Sequence, residues 1–352
     1  MKRTIRLFRR IILFFVLTVF MLLSIVNAPW FFVSSKTTTT DYSNWMSETL
    51  DTEAKIIDIA MLGAHDAFTH EIDIFSPVDN KSAEGLMQGF VGKLIKGFSI
   101  RQSKTQVVST EDLLKSGVRY FDMRLSFNEE EEQYYTVHNY FSSPLNEVLS
   151  GIENFLSTNP GEFLIIDIQH VYGVDYDSLE DFEEVYQYFD DASLTQYTYQ
   201  NNIKALKDIT YGDITQNKST SGLIIFSKFQ SSNSYFFDYE TSIRSSWANE
   251  DEFPKIVEFL DNESLYIQEN PTILKGIRIM QAVATMEMSA TGILRSFESW
   301  SLLGRARDFN QYLLEYENIE NLLDSMPVLM IDFTSDKEII DEIMVLIINY
   351  NS

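Results

Sequence analysis

Four histidines in this chain are enough to supply acid–base chemistry. They are His65, His70, His138 and His170. One imidazole can remove a proton from an attacking hydroxyl while a second protonates the leaving oxygen, which is what cleavage of a phosphodiester requires. The reaction also needs a cation to offset charge on the phosphoryl oxygens, and a buried carboxylate to hold the base imidazole in one tautomer. The sequence contains a residue type for each of these four tasks.

Distinctive polar residues stand at the ends of short apolar runs that we interpret as strands. The runs cover residues 55–62, 118–125, 134–138, 163–169, 223–228, 277–283 and 328–333. At or just beyond their ends lie His65, Asp66, Asp122, Arg124, His138, Asp167, Gln169, His170, Lys228, Gln281, Thr285 and Asp332. In a parallel βα barrel these carboxyl ends meet at one face, where active sites are built. The pattern therefore predicts that these side chains share a site.

Amphipathic stretches alternate with the apolar runs. Residues 145–161, for example, carry apolar side chains at helical spacing and end in Pro160-Gly161. Alternation of this kind predicts an α/β fold with a largely parallel sheet, and seven candidate strands approach the eight of a closed barrel. We predict a distorted or incomplete TIM barrel over residues 45–352. The long segment 70–117 is expected to cover the site and to contain some helix.

The first 33 residues differ in character from the rest. Residues 1–10 contain five basic side chains, and residues 11–33 carry no charge. Such a segment is long enough to span a bilayer, and its basic flank would place residues beyond it outside the cytoplasm. We predict a single-pass anchor in the cell membrane with an extracytoplasmic catalytic domain, joined by a linker at 34–44. The alternative is a cleaved signal peptide and a secreted protein, although Pro29 would then follow the cleavage site.

Composition excludes several classes of partner and cofactor. The formal net charge is −25, whereas binding to nucleic acid requires a basic surface. Cysteine is absent, so thiolate zinc sites and disulfide scaffolds are excluded.

Three ordered motifs resemble the X domain of phosphatidylinositol-specific phospholipase C. MLGAHDAFTH at 61–70 is similar to the opening Gly-x-His-Asp motif of that family, and QSKTQ at 102–106, followed by LLKSGVRYFDMRL at 113–125, resembles its second block. Residues 137–173 resemble the third block, which ends in a strand with the pattern Asp-Phe/Ile-x-His-x-Tyr, and PVLMIDFTSD at 327–336 resembles the last strand. The resemblance is greatest to the X-domain-only proteins. It implies a phospholipase C-like phosphodiesterase barrel that acts on a phospholipid or glycolipid at a membrane surface.

The same resemblance implies a role for each matching residue. His65 corresponds to the general base that activates the inositol 2-hydroxyl, and Asp332 to the carboxylate that orients it. His138 corresponds to the general acid that protonates the glycerol oxygen.

Arg124 corresponds to the arginine that holds a phosphoryl oxygen, and Asp66 and Asp122 to acidic residues that position Arg124 and His138. Calcium-dependent relatives place a metal where this arginine would lie, so we expect neither metal nor cofactor. Gln169, His170, Lys228 and Trp247 are candidates for substrate binding.

The chain departs from the family pattern at two positions. Ala67 stands where the family has Ser, and Asn139 where it often has Gly. Two alternatives therefore stay open beside the phospholipase C-like activity. One is a metal-dependent glycerophosphodiester phosphodiesterase-like enzyme, and the other is a catalytically weak, membrane-anchored protein that binds lipid head groups.

Overall fold

Ten strands form one sheet in the computed structural model, which describes residues 2–27, 40–83, 85, 87–286 and 301–352. The strands are β1 Met61–Ala64, β2 Val118–Asn128, β3 Gln133–His138, β4 Tyr140–Pro144, β5 Phe163–Tyr172, β6 Gly222–Ser227, β7 Phe236–Asp238, β8 Ile243–Ser246, β9 Ile277–Gln281 and β10 Val328–Ile331. Eight of them pair in parallel in the order β7-β6-β5-β2-β1-β10-β9-β8. Within the described residues β7 and β8 do not pair, so the barrel is incomplete, as predicted.

Thirteen helices are described along the chain. They are α1 Lys2–Val26, α2 Trp45–Thr49, α3 Gly89–Leu94, α4 Lys96–Arg101, α5 Thr110–Lys115, α6 Leu145–Thr158, α7 Leu179–Asp191, α8 Tyr211–Thr215, α9 Tyr239–Ser242, α10 Phe253–Glu269, α11 Leu302–Leu314, α12 Ile319–Ser325 and α13 Lys337–Asn351. The prediction of helix within segment 70–117 is confirmed by α3, α4 and α5.

The central strands are buried on both faces, which explains their continuous apolar sequence. All six residues of β6 are buried, as are the first six of β5. Gly63 in β1 lies between two neighbours, since a Cβ atom there would come within 3.2 Å of Tyr120 and 3.3 Å of Met330. The strands that carry the candidate site are therefore held in a tightly packed sheet.

Three predictions about strands need correction. Residues 134–138 form β3, which runs antiparallel to β2 and pairs with β4 in a hairpin instead of continuing the parallel sheet. The first strand begins at Met61, six residues later than predicted. The sequence analysis also missed β4, β7 and β8, because they have only three to five residues and carry polar side chains.

A buried ion pair closes the amino end of the barrel. The guanidinium of Arg119, at the start of β2, donates two hydrogen bonds to Glu162 at 2.8 and 2.9 Å, and neither side chain is exposed. Arg119 also donates to the carbonyl groups of Tyr42 and Ser43. Residues 42 and 43, which fall within the predicted linker, thus pack against the base of the barrel.

The N-terminal helix α1 covers most of the predicted anchor, and residues 28–33 of that prediction lie outside the described residues. Side chains from Phe8 to Leu22 are largely exposed. Asn27, just after the helix, donates to the carbonyl of Leu94 and accepts from the amide of Gly97. Across the described part of the chain, no helix combines the length and the apolar character needed to cross a membrane.

Candidate active site

His65 and Asp66 are placed by the turn that follows β1. The amide of His65 still donates to Ile331 at the end of β10, at 3.0 Å. Asp66 then adopts a left-handed backbone conformation with φ of 40°, which aspartate tolerates better than most residues. The next amide, that of Ala67, donates to the carbonyl of Asp122. This turn brings the His-Asp pair over the end of β2.

Asp122 and Arg124 lie two residues apart on β2, so their side chains point to the same face. The Arg124 Nε atom lies 2.6 Å from Asp66 Oδ1, and Nη2 lies 3.1 Å from Asp122 Oδ2. Burial alone would lower the pKa of Arg124, but these two carboxylates outweigh burial and raise it. The guanidinium is therefore fixed in place and stays charged.

His65 is held at both ring nitrogens. Its Nδ1 lies 2.8 Å from the buried Oδ1 of Asp332, while Nε2 lies 3.3 Å from Nη2 of Arg124. Nε2 is also 3.6 Å from Asp66 and 3.8 Å from Asp122. Burial favours the neutral ring, but the charges of Asp66 and Asp332 outweigh burial and raise the pKa of His65 to about 9.

His138 reaches the same place by a route that the sequence analysis did not anticipate. It is the last residue of β3, and the antiparallel hairpin turns the chain back beside the end of β2. Its Nδ1 donates to the carbonyl of Ser103 at 2.7 Å and lies 3.4 Å from Asp66 Oδ2.

Asp66 is the residue that joins Arg124, His65 and His138. It is 1% exposed and lies 2.6 Å from Arg124, 3.4 Å from His138 and 3.6 Å from His65. The carboxylate oxygens of Asp66 are close enough to these groups for ion pairs, but the geometry does not meet the angles of a hydrogen bond. Burial opposes ionisation of Asp66, yet Arg124, His138 and His65 lower its pKa to about 2. The structure thus brings all six predicted catalytic residues into one cluster, in which Arg124, His138 and His65 surround Asp66, Asp122 contacts Arg124, and Asp332 contacts His65.

Three of the four predicted substrate-binding residues lie beside this cluster. Lys228 donates to Gln169, whose amide donates to the hydroxyl of Tyr239 at 2.9 Å. The Lys228 ammonium also lies 4.7 Å from the centre of the Tyr239 ring. His170 pairs in register with Arg124 across the sheet, and its ring stacks on Tyr172.

The fourth, Trp247, stands apart from the others. It follows β8, is 50% exposed, and donates to the hydroxyl of Thr285 at 3.0 Å. None of the contacts among the described residues links it to His65 or His138. A cleft of about 960 Å³ on the flank of the barrel, lined in part by Tyr134, Glu184 and Tyr188, is also separate from the cluster.

Asp167 is a strand-end residue that the sequence predicts at this face, but it was given no catalytic or binding role. Its Oδ2 accepts a hydrogen bond of 2.6 Å from the hydroxyl of Tyr120, and the residue is 1% exposed. Burial, together with the negative charge of Asp122, raises the pKa of Asp167 to about 8. Asp167 is therefore protonated near neutral pH, so it does not add a further negative charge beside Asp122.

His65, Asp66 and Asp122 could also ligate a metal ion, since one ligand atom from each lies within 4.8 Å of the others. The Arg124 guanidinium already contacts both carboxylates. A positive charge is thus present at the position where such an ion would bind.

Solved structures identify the class of fold. A variant of the phosphatidylinositol-specific phospholipase C from Staphylococcus aureus aligns over 90% of this chain and 100% of its own, with a TM-score of 0.57 and 17% identity. The corresponding enzyme from Listeria monocytogenes aligns over 89% of this chain and 99% of its own, with a TM-score of 0.55 and 19% identity. The chain thus has the TIM-like fold of these phospholipases.

Sequence comparisons identify the relatives more narrowly. The variant-surface-glycoprotein phospholipase C of Trypanosoma brucei brucei is 39% identical over 141 residues, which are 37% of this chain and 39% of that protein. PI-PLC X domain-containing protein 3 of Danio rerio is 33% identical over 140 residues, 38% of this chain and 43% of that protein. The chain therefore matches about two-fifths of the length of these relatives. No family model matches. The resemblance to X-domain proteins that the sequence motifs indicated is confirmed.

Proposed function

We propose that this protein is a phosphodiesterase that cleaves the glycerol-side phosphodiester of an inositol-containing phospholipid or glycolipid. The observation that carries the proposal is the convergence of His65, His138 and Arg124 on the single carboxylate of Asp66. Two imidazoles and a guanidinium around one anion provide a base, an acid and a phosphoryl clamp within one site.

In the proposed first step, the neutral form of the His65 ring, whose share grows as the pH rises toward its pKa of about 9, takes the proton of the inositol 2-hydroxyl on Nε2, and the resulting oxygen attacks phosphorus. Asp332 holds Nδ1 at 2.8 Å, which leaves Nε2 to act as the base. Arg124, fixed by Asp66 and Asp122, would stabilise the negative charge that grows on the phosphoryl oxygens.

In the same step the bond from phosphorus to the glycerol oxygen breaks, and that oxygen takes a proton from His138. Because the Nδ1–H of His138 donates to the Ser103 carbonyl, the transferable proton would be on Nε2. The products are a cyclic inositol phosphodiester and diacylglycerol, or the corresponding glycolipid remainder. When water then attacks the cyclic phosphodiester, deprotonated His138 can act as the base and protonated His65 as the acid.

The head group is proposed to bind beside Lys228, Gln169 and His170. Lys228 and Gln169 offer an ammonium and an amide next to Asp122 and Arg124, and such groups suit the hydroxyls of a cyclitol. Trp247, at the end of β8, offers an exposed ring face at the rim.

We also propose that the protein acts at a membrane surface with its catalytic barrel outside the cytoplasm. Phe75 and Phe90, in the segment that follows β1, are 86% and 76% exposed. Residues 85–110 contain four basic side chains and no acidic one, in a chain of net charge −25; Arg101 is buried, so Lys93, Lys96 and Lys104 are the ones that can reach the surface. Apolar and basic side chains together favour an anionic bilayer. The double variant Phe75→Ser/Phe90→Ser, in which residues Phe8 to Leu22 are unchanged, should lose binding to anionic vesicles, and that loss would support this surface.

A substrate panel tests the proposed activity. The full-length protein in detergent is given phosphatidylinositol, a glycosylated phosphatidylinositol, phosphatidylcholine and glycerophosphoinositol, with and without EDTA. We expect turnover of inositol lipids that survives EDTA and falls at least 10³-fold in His65→Ala, since both acid and base are needed. Full hydrolysis by His65→Ala would contradict the proposal.

The second candidate is a metal-dependent glycerophosphodiester phosphodiesterase, which the His65, Asp66 and Asp122 group favours. Turnover of glycerophosphoinositol that EDTA abolishes and Ca²⁺ or Mg²⁺ restores would select it. Binding of head groups without turnover would instead indicate the third alternative, a head-group-binding protein.

A further inference from the structure

Residues 103–106 form a short buried segment between α4 and α5 that we call the strap. Ser103, Thr105 and Gln106 are fully buried although all three are polar. A buried polar group is stable only when it is hydrogen-bonded, so the partners of the strap reveal what it does. Each of these residues bonds to a segment that carries a member of the proposed catalytic group.

Ser103 contacts His138 and its neighbour. The main-chain carbonyl of Ser103 accepts from Nδ1 of His138 at 2.7 Å, and the hydroxyl accepts from the side-chain amide of Asn139 at 3.1 Å. The same hydroxyl donates to the carbonyl of Ser99. His138 is thus held by the strap both directly and through the residue that follows it.

Asn139 is a departure from the family pattern that the structure explains. Its backbone is left-handed, with φ of 62°, a conformation that glycine adopts without strain and asparagine adopts more readily than most residues. Glycine at this position would permit the turn but could not donate to Ser103. The Asn139–Ser103 hydrogen bond is therefore available to this chain and not to relatives with glycine there.

Gln106 connects His65 to residues 331–334, at the end of β10 and in the loop that follows it. Its Nε2 donates to the carbonyl groups of His65 and Ile331, at 3.2 and 3.3 Å. Its Oε1 accepts from the amide and the hydroxyl of Thr334, at 3.0 and 2.9 Å. Because Asp332 lies between Ile331 and Thr334, this one side chain ties the base to the loop that carries its orienting carboxylate.

Thr105 completes the strap. Its hydroxyl donates to the carbonyl of Asp66 at 2.8 Å, and its own carbonyl accepts from the amide of Phe333. Three of the four strap residues, Ser103, Thr105 and Gln106, therefore contact the backbone of His65 and Asp66, the ring of His138, and both sides of Asp332.

We propose that Ser103, Gln106 and Asn139 are positioning residues, and that the strap sets the relative placement of the two imidazoles and fixes the tautomer of His138. This inference rests on the proposed function, because it assigns the strap to the same site. The physical reason is that acid and base must act on one substrate within a fraction of an ångström of the productive geometry. His65 and His138 come from different strands, so a shared third segment couples their positions.

A double-mutant cycle with Asn139→Gly and Ser103→Ala tests the proposal in the full-length protein. Asn139→Gly keeps the left-handed turn and removes the donor, and Ser103→Ala removes the hydroxyl while the carbonyl remains. We expect each to lower kcat on phosphatidylinositol about 10-fold with little change in KM, a loss within the range of small misplacements. Both changes delete the Asn139–Ser103 contact, and Ser103→Ala also deletes the hydrogen bond to Ser99, so the double variant should lose no more than Ser103→Ala alone.

The matched control is Asn217→Gly, another left-handed asparagine, which lies before β6 at the opposite end of the barrel. It should keep the wild-type kcat. Equal losses in Asn217→Gly and Asn139→Gly, or fully additive losses in the double variant, would overturn the proposal.

The tautomer of His138 gives a readout that does not need turnover. In ¹⁵N NMR of the wild type, we expect the neutral ring to carry its proton on Nδ1. Asn139→Gly and Ser103→Ala should both raise the population protonated on Nε2. An unchanged tautomer with an unchanged kcat would refute the strap as a positioning element while leaving the proposed activity intact, whereas absence of hydrolysis by the wild type would refute the activity itself.

Gln106→Met extends the test to His65, because methionine fills a similar volume without hydrogen bonds. It should displace the pH limb of kcat/KM that belongs to His65, an effect that loss of global stability alone would not produce. Should this variant fail to fold, the Asn139 and Ser103 arms still decide the proposal.

Discussion

Replacing Asp332 with asparagine would test the electrostatics of His65 directly. The Asp332 carboxylate is 2% exposed, lies 2.8 Å from Nδ1 of His65, and helps to raise the pKa of that ring to about 9 against the effect of burial. Asparagine keeps the shape and removes the charge. An opposite charge at this distance shifts a pKa by about 1–3 units, so His65 should titrate about 1–3 units lower in Asp332→Asn.

The same change has a consequence for stability. The pKa of His65 lies about 2.5 units above that of an unfolded histidine, which corresponds to about 3 kcal/mol. Because the folded-state pKa is the higher one, this stabilisation is fully present below pH 6.5 and is lost as the pH rises through 9. The unfolding free energy of the wild type should therefore fall by about 3 kcal/mol over this interval from this group, and that of Asp332→Asn by about 2 kcal/mol or less.

Asp332→Asn should also lower kcat and move the pH profile of kcat/KM. An asparagine amide can donate to Nδ1 and so favours the tautomer whose Nε2 carries the proton, which cannot act as the base. By analogy with the Ser-His-Asp triad, we expect kcat to fall about 10³- to 10⁴-fold. The limb of kcat/KM that reports free His65, expected near pH 9 in the wild type, should move to lower pH.

The assay is an NMR titration of the four histidines, with the His65 resonance assigned from His65→Asn. The control is Asp336→Asn, which removes another buried carboxylate from the same loop, one that pairs with Arg307 at 3.0 Å. A His65 pKa that stays near 9 in Asp332→Asn, or that falls equally in Asp336→Asn, would refute the reasoning.

Three further predictions follow from the charges at the two ends of the barrel. Arg124→Lys should lower kcat/KM about 10²- to 10³-fold, because an ammonium lacks the fork that contacts two carboxylates, whereas Arg307→Lys should have little effect; comparable losses in both would contradict this. EDTA should leave turnover unchanged, since the Arg124 guanidinium already supplies the positive charge at this position; loss of activity restored by Ca²⁺ would select the metal-dependent alternative. Glu162→Gln should lower the free energy of unfolding, measured in urea, by about 3–5 kcal/mol, because it leaves Arg119 buried without its counter-charge. At urea concentrations well below the unfolding midpoint of the variant, its kcat/KM should equal that of the wild type.

Local sequence was sufficient to predict that Asp122 and Arg124 lie on one face of β2 and that Asp332 needs a buried partner. The spacing of Asp122 and Arg124 places both on one face of a strand whatever surrounds it, since successive side chains alternate. Likewise, the apolar run before Asp332 indicated a buried carboxylate that needs a partner, and the structure places His65 at 2.8 Å from it.

The direction of β3 could not be read from the sequence. Alternation with a period of two is the same for a strand that extends a parallel sheet and for one that returns in a hairpin. His138 was therefore predicted at the site from a wrong strand direction, and it reaches the site because the hairpin folds back beside β2. The contacts of Trp247 illustrate the opposite case, since a residue at the end of β8 shares the barrel face without touching the catalytic cluster.

The sequence by itself determined which apolar runs could form strands, which residues stand at their ends, and which chemistry those residues could perform. Each of these properties depends on side-chain order over a few neighbouring positions. Only the tertiary structure decided that Ser103 accepts a hydrogen bond from the His138 ring, that Gln106 bonds to both the His65 carbonyl and Thr334, and that Asp66 lies between the two imidazoles. These contacts join residues that are up to 228 positions apart in the chain, and their formation depends on how the whole barrel packs.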